Sequence, residues 1–372
     1  MTGVDNQYAN LLKEILFSGY EKDTRAGKTL SKFGYTMRFN MTEGLPVLTT
    51  KKVGVKTVIE ELLWFLRGES NVRPLIEHGV NIWTDDAYRH YKNVITENNE
   101  CVSEYFPEGK FDKCDLTGPF TVLSKEEFVQ AVKNRKEIIV FYKKKPLVIR
   151  NVVIGDMPPY GQRQYRFGDL GPVYGVQWRK FGSSHTDQIM SVVDTLRNNP
   201  DDRRMLVVAY NPDVLDVVAL PPCHVMFQVY SRNLTRGERI EYLPVGEEDI
   251  SDEHLDELNI PKRGISLMWT QRSVDVPLGL CFNITSYAVL LHILANMVNM
   301  KPLELIASLG DCHIYKNQID GVQEQLKRNG ADKLPTLTIK KHIDGFDDLS
   351  VDDFAIEGYE CDPPIKFPLS VG

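Results

Sequence analysis

The chain has 372 residues, 42% hydrophobic, 10% aromatic and 26% charged, the proportions of an ordinary globular protein able to bury a sizeable core. A formal net charge of -7 with a pI near 5.7 argues against a non-specific nucleic-acid binder, which needs a basic face to displace counterions from phosphates, so no DNA partner is expected. Length alone suggests two or three average domains, but one large α/β domain carrying insertions fits equally well and is preferred.

Six cysteines, at 101, 114, 223, 281, 312 and 361, are scattered without a C-x-x-C pair or zinc-finger spacing. Neither a metal site nor a disulfide framework is indicated, which points to a reducing compartment. The N-terminus lacks a charged segment before an apolar one, and no apolar run reaches the ~18 residues of a membrane span, so a cytoplasmic protein with no membrane partner is expected.

In chain order, Leu11, Leu12, Ile15 and Leu16 fall at helical spacing within 8–18, and Gly19 supplies a stop. The segment Lys22 to Thr29 reads as a loop, either phosphate-binding or a solvated turn. Phe33 to Phe39 reads as a strand, Pro46 to Thr50 as a short extended piece, and Lys56 to Arg67 as a helix. Glu61 sits among that helix's core residues. A carboxylate there is costly unless paired or used, which makes it a candidate acid/base or else a partly exposed helix charge.

From about Tyr88 to Tyr165 turn-rich pieces (Pro107 to Lys110, Pro158-Pro159) alternate with short apolar ones, and the stretch reads as an inserted α+β lobe. Ser124 to Glu127 should cap a helix, Val148-Ile149 should lie in a strand, and Lys143 to Lys145 should be a solvated hairpin tip. Beyond a tight Gly171 to Gly175 segment, 185–197 is amphipathic and helical. The pair Arg203-Arg204 opens a strand, Met205 to Ala209, where paired arginines suit an anion clamp.

In Leu220-Pro221-Pro222-Cys223-His224 a plausible nucleophile follows two prolines and precedes a histidine. Strands at Val225 to Tyr230 and Gly264 to Trp269 flank a second insertion, 232–261, whose acidic run Glu247-Glu248-Asp249 reads as a solvated loop. Gln271, Arg272, Ser273 and Asp275 crowd polar chemistry immediately after the second strand, where sites commonly lie. Residues 284–299 form the longest helical pattern and should be a central buried helix. A further helix to about Arg328 and a strand, Thr336 to Lys340, precede an irregular tail.

The motifs Glu61 to Leu66, Gly171 to Gly175, Arg203-Arg204, Pro222-Cys223-His224, Gln271-Arg272-Ser273 with Asp275, Leu278-Gly279, Phe282-Asn283-Ile284, Gly310-Asp311 and His313-Ile314-Tyr315 occur in one order. That succession resembles the thymidylate synthase family, which includes bacteriophage pyrimidine nucleotide hydroxymethylases. The resemblance covers the chain except for 88–165, 232–261 and local gaps. It implies a single catalytic domain of the α/β (α+β) class: a three-layer fold whose large mixed β-sheet forms a dimer interface, with helices packed on it and the small lobe inserted.

The resemblance also implies roles. Cys223 would add to C6 of a pyrimidine nucleotide and make C5 able to attack the methylene of 5,10-methylenetetrahydrofolate, the co-substrate, with no metal involved. Arg272, aided by Ser273, would lower the thiol's pKa and bind the nucleotide phosphate. Arg25 and Gln271 would join the substrate set, and Arg203 and Arg204 would reach the phosphate of the neighbouring subunit in a homodimer. Asn283 offers one donor and one acceptor, the complement of uracil, whereas family members acting on cytidine nucleotides carry aspartate there. His313 and Tyr315 would hold the sugar 3'-hydroxyl. Glu61, through water, and Tyr174 would manage protons at O4 and C5, with His224 beside the nucleophile. Asp275, with Trp83, Leu278 and Gly279, would meet the folate.

Some positions depart from the family pattern. Asp86 stands where a second tryptophan usually closes the site, Gly54 replaces a histidine that contacts folate, and the loop around Arg25 is one residue short. Pro277 and Cys281 replace a phenylalanine and a proline, and the tail runs to Val371-Gly372, one residue past the usual apolar end. Water exclusion decides whether hydride or water finishes the reaction. The expectation is therefore a synthase making dTMP and dihydrofolate, with two alternatives: a dUMP hydroxymethylase, or an inactive binding or regulatory family member using 88–165 as its module.

Overall fold

A computed structural model describes residues 1–105, 120–143, 148–149, 152–153, 160–243 and 250–369. Pro107 to Lys110, Lys144-Lys145, Pro158-Pro159, Glu247 to Asp249 and Val371-Gly372 lie outside the described residues. The chain packs as two compact units, one of residues 1–68, 177–211 and 222–372, the other of 69–176 and 212–221.

The first unit is built on a six-stranded sheet. Its spatial order is Tyr20–Thr24, Gly27–Asn40, Lys301–Tyr315, Arg263–Asp275, His224–Asn233 and Leu206–Val208. Neighbours pair antiparallel except Arg263–Asp275 and Lys301–Tyr315, which run parallel. The sheet is therefore mixed, as expected. The parallel pair needs a crossover, supplied by the helix Cys281–Val298.

Alternation assigns the sheet's two faces. Phe227, Val229, Leu267, Trp269, Leu305 and Ala307 are buried on one face, against the helices Gly3–Ser18 and Cys281–Val298. The other face carries Gln228, Tyr230, Met268 and Ile306, which line an open groove of about 670 Å³, and Tyr230 is 62% exposed. An aromatic series links the core elements: Phe65 to Trp178 at 5.6 Å, Trp178 to Phe227 at 5.5 Å, Phe227 to Tyr287 at 6.0 Å and Tyr287 to Trp269 at 4.9 Å.

Several elements differ from expectation. Lys22 to Thr29 is not a loop but a β-hairpin closed at Arg25-Ala26, where Gly27 has φ +124° and Thr24 Oγ1 donates to its carbonyl. The alternating charges that suggested a loop pair across it, Lys28 with Glu21 and Asp23. Pro46 to Thr50 joins no sheet, because the amides of Thr49 and Thr50 donate to the buried Asp5 carboxylate instead. The strand expected to end at Trp269 continues to Asp275, so Gln271, Arg272, Ser273 and Asp275 lie on the sheet rather than after it. Lys301–Tyr315, a central strand that the sequence pattern did not mark, is interrupted by a register shift between Pro302 and Glu304 that breaks its alternation.

Val276–Val298 is long and apolar enough to cross a membrane, contrary to the expectation from apolar runs, but 72% of its most apolar window is buried inside the protein. It is the expected central helix, preceded by one π turn. Among the described residues of 232–261 are two short helices, Arg236–Ile240 and Asp252–Glu257.

The second unit contains the helices Arg73–Glu77, Thr84–Tyr105 and Lys125–Lys133 and the antiparallel pair Glu137–Lys143 with Tyr160–Arg166. Ser124 and Glu127 form the expected capping box, and Val148–Ile149 is a strand paired with Val152–Val153. Gly171 has φ +74°, and a side chain there would meet the Val217 carbonyl at 2.4 Å, so only glycine fits the turn before Tyr174.

Candidate active site

Cys223 lies half-buried at the entry to the strand His224–Asn233. The neighbouring strand presents Arg272 to it in three ways. The Arg272 amide donates to the Cys223 carbonyl at 2.9 Å, Nε donates to the Pro222 carbonyl at 2.8 Å, and Nη2 lies 3.8 Å from Cys223 Sγ. A guanidinium at that range favours the thiolate, the form in which cysteine is a nucleophile. Arg272 is itself exposed, and a guanidinium is suited to bidentate anion binding.

A β-bulge interrupts the pairing of these two strands just past the cysteine. His224 pairs with Gln271 and Met226 with Thr270, leaving Val225 extra. The slip turns His224 toward the core face while Met226 keeps to the open face. There His224 is half-buried, and burial of its ring drives its pKa down to about 4, with a side-chain hydrogen bond to Asn283 opposing the shift. The imidazole is therefore neutral near pH 7. Its Nδ1 lies 3.3 Å from the hydroxyl of Tyr287. Asn283, on the first turn of Cys281–Val298, accepts at Oδ1 from Gln271 Nε2 at 3.1 Å.

Strand register brings the next group together. Asp311 pairs with Ser273 and His313 with Asp275. Gly310 permits this approach, since a Cβ there would stand 2.5 Å from the Arg272 carbonyl. Asp275 accepts from the amide of Leu278 at 3.0 Å and from Gln318 Nε2 at 2.8 Å. Burial raises its pKa, against the lowering effect of those bonds. Leu278 and Gly279 occupy the π turn, and a Cβ at Gly279 would lie 3.9 Å from Asn283 Oδ1. His313 and Tyr315 meet edge to face at 5.3 Å. Burial raises the Tyr315 pKa, while Thr24 and Arg25, at the hairpin turn, lower it. The expected Arg25 thus belongs to the Tyr315 end of this group.

Glu61 is half-buried on the helix Val55–Leu66, between the core side chains of Ile59 and Leu62. Arg203 and Arg204 are exposed before the edge strand Leu206–Val208, apart from the cysteine cluster, with Arg204 paired to Asp202 at 2.6 Å. In the second unit Trp83 and Tyr174 pack edge to face at 6.1 Å. Asp86, expected as a position that admits water, is half-buried and its carboxylate pairs with Arg89 one turn along the same helix. Burial raises its pKa, and Arg89 opposes that.

The sequence reading missed four residues. Lys51 is a buried cation that donates to the Pro277 carbonyl and lies over the Phe367 ring at 4.7 Å. Gln318 joins Asp275 to the Pro368 carbonyl. Trp269 and Tyr287 read as apolar core, and their polar atoms gain meaning only beside Gln271 and His224.

Residues 6–371 match the family described as thymidylate synthase. The chain belongs to the thymidylate synthase family. It is 34% identical over 366 residues to the thymidylate synthase of Mycoplasma mobile, covering 98% of this chain and 99% of that protein. The thymidylate synthase of Aster yellows witches'-broom phytoplasma is 34% identical over 367 residues, covering 98% of this chain and 100% of its own length. That of Listeria monocytogenes serotype 4b is 33% identical over 369 residues, covering 98% and 99%. Family membership fits the geometry of a thiol held against a guanidinium.

Proposed function

We propose that the protein is a one-carbon transferase that converts dUMP and 5,10-methylenetetrahydrofolate to dTMP and dihydrofolate. The observation that carries this reading is the Cys223 thiol 3.8 Å from Arg272 in a chain of the thymidylate synthase family. Asn283 supports a uracil base, and the exposed guanidinium of Arg272, with Ser273, suits the nucleotide phosphate. His313 and Tyr315 suit the sugar hydroxyl.

In this reading the Cys223 thiolate adds to C6 and C5 becomes an enolate-like nucleophile. C5 attacks the folate methylene, loses its proton, and tetrahydrofolate leaves an exocyclic methylene on the base. Hydride from tetrahydrofolate then reduces that methylene, the thiolate departs from C6, and dTMP and dihydrofolate remain. Glu61, through water, and Tyr174 are the groups assigned to proton management at O4 and C5, with His224 beside the nucleophile. The neutral state of His224 suits hydrogen bonding rather than charge stabilisation. Asp275 fits the folate ring, since its half-buried carboxylate is oriented by Gln318 and Leu278 and offers further lone pairs to ring N–H donors. Leu278 and Gly279 complete the folate set on this unit, and Trp83 is assigned to the folate by the family resemblance alone.

The homodimer is part of the proposal. The open sheet face, with Tyr230 62% and Phe33 82% exposed, suits burial against a second copy, and Arg203 and Arg204 are exposed for use across that interface. The whole chain acts as one catalytic domain, with 88–165 and 232–261 as insertions, in the cytoplasm. The pairing of Asp86 with Arg89 and the synthase names of the relatives give the hydroxymethylase reading no support. Incubation with dUMP and the folate, followed by mass analysis of the nucleotide, tests the reaction. 5-methylated nucleotide is expected, and 5-hydroxymethyl-dUMP or unchanged dUMP contradicts it.

A further inference from the structure

Trp269 and Gln271 are two residues apart on one strand, so their side chains share its core face. Trp269 is fully buried and stacks on Tyr287 at 4.9 Å with an interplanar angle of 10°. An indole N–H can only donate a hydrogen bond. Here it donates to Gln271 Oε1 at 3.3 Å. The amide nitrogen of Gln271 then faces the other way and donates both to the Ser273 carbonyl and to Asn283 Oδ1, each at 3.1 Å.

The opposite orientation of Gln271 fails at both fixed contacts. It would set its NH2 group against the indole N–H and its oxygen against the Ser273 carbonyl. The Asn283 amide is therefore directed in turn, with Oδ1 toward Gln271 and Nδ2 away from it. In that orientation Nδ2 would donate to O4 of uracil, the oxygen that cytosine replaces with an amino group. A reversed Asn283 would present an acceptor at position 4, the complement of the cytosine amino group.

We propose that Trp269 is a specificity-determining positioning residue that holds the Asn283 amide, through Gln271, in the orientation that selects uracil over cytosine. The proposal rests on the dUMP reading above and deepens it. The stack of Tyr287 on Trp269 fixes the plane of the indole, and the Tyr287 hydroxyl reaches His224, which itself bonds to Asn283. Two routes from one buried aromatic pair thus converge on the amide that reads the base.

The test is the ratio of kcat/KM for dUMP to that for dCMP in wild type, Trp269→Phe, Gln271→Met and the double variant. Trp269→Phe keeps an aromatic ring against Tyr287 and removes the donor, together with the volume of one fused ring. It should lower the ratio about fivefold to tenfold, the worth of one net hydrogen bond. Gln271→Met should lower the ratio at least as far, and adding Trp269→Phe to it should cost nothing more, because the effect runs through Gln271. An unchanged ratio in folded Trp269→Phe, or additive losses in the double variant, would overturn the proposal.

A neutron structure of the wild-type protein decides the same point without any substitution. Deuterium on Gln271 Nε2 directed at Asn283 Oδ1 is expected. Deuterium on Asn283 Nδ2 directed at Gln271 Oε1 contradicts it. Failure of the wild-type protein to consume dUMP counts against the proposed function instead, and leaves the neutron result to judge the orientation.

Discussion

Arg272 Nη2 stands 3.8 Å from Cys223 Sγ, while Nε of the same guanidinium donates to the Pro222 carbonyl at 2.8 Å. The cation is anchored to the backbone beside the thiol it faces. Arg272→Gln should therefore slow alkylation of Cys223 by iodoacetamide at pH 7 by at least about tenfold, since a nearby cation favours the reactive thiolate. An unchanged alkylation rate in the folded variant would separate Arg272 from the activation of Cys223.

Asp275 is half-buried and held by Gln318 and the Leu278 amide. Asp275→Asn should raise KM for the folate by about tenfold or more, the cost of losing a charged hydrogen bond, and leave dUMP binding in the absence of folate within about twofold. Calorimetry with dUMP and steady-state kinetics with varied folate check this. A variant that loses dUMP affinity instead would move Asp275 out of the folate set.

Two histidines make the protein sensitive to acid. Burial holds His224 and His292 near a pKa of about 4, and His292 Nε2 is buried without a hydrogen-bond partner. The ordinary value is about 6.5. Between those values the unfolded chain binds more protons than the folded one, so stability is full above about pH 6.5 and falls as pH drops toward about 4. Each histidine should contribute a slope of roughly 1 kcal/mol per pH unit in that window. Denaturant titrations at pH 7, 6 and 5 should show the decline, and His292→Phe should reduce its slope by about half. An equal decline in that variant contradicts the assignment.

Gly310 faces the Arg272 carbonyl, which a Cβ would approach to 2.5 Å. Gly310→Ala should push the two parallel strands apart beside the nucleophile, destabilise the fold by about 1–3 kcal/mol and lower kcat. Thermal unfolding and kinetics measure both effects. Wild-type values in both would show that the strands accommodate the methyl group.

Much of this site was legible in order but not in place. Cys223, Arg272, Asn283 and His313 stand out as polar or reactive residues among apolar ones, and their succession carries the family resemblance. Periodicity found the helix Cys281–Val298 because it is apolar throughout, and the capping box found Lys125–Lys133. The strand Lys301–Tyr315 escaped because a register shift and Gly310 interrupt its alternation, and the hairpin at Arg25 escaped because its charges look like those of a solvated turn. Nothing in a linear pattern could show that a bulge at Val225 turns His224 inward, or that Trp269 and Tyr287 carry polar contacts behind an apolar face. Those relationships depend on strand register, which is a tertiary property.

The most direct measurement uses dUMP carrying tritium at C5, incubated with 5,10-methylenetetrahydrofolate. Tritium released to water is counted against dihydrofolate formed, with Cys223→Ala as the control. Covalent activation by Cys223 and subsequent hydride transfer predict release and dihydrofolate in equal amounts from the wild-type protein and neither from the variant. Release without dihydrofolate, or turnover that survives Cys223→Ala, would contradict the account.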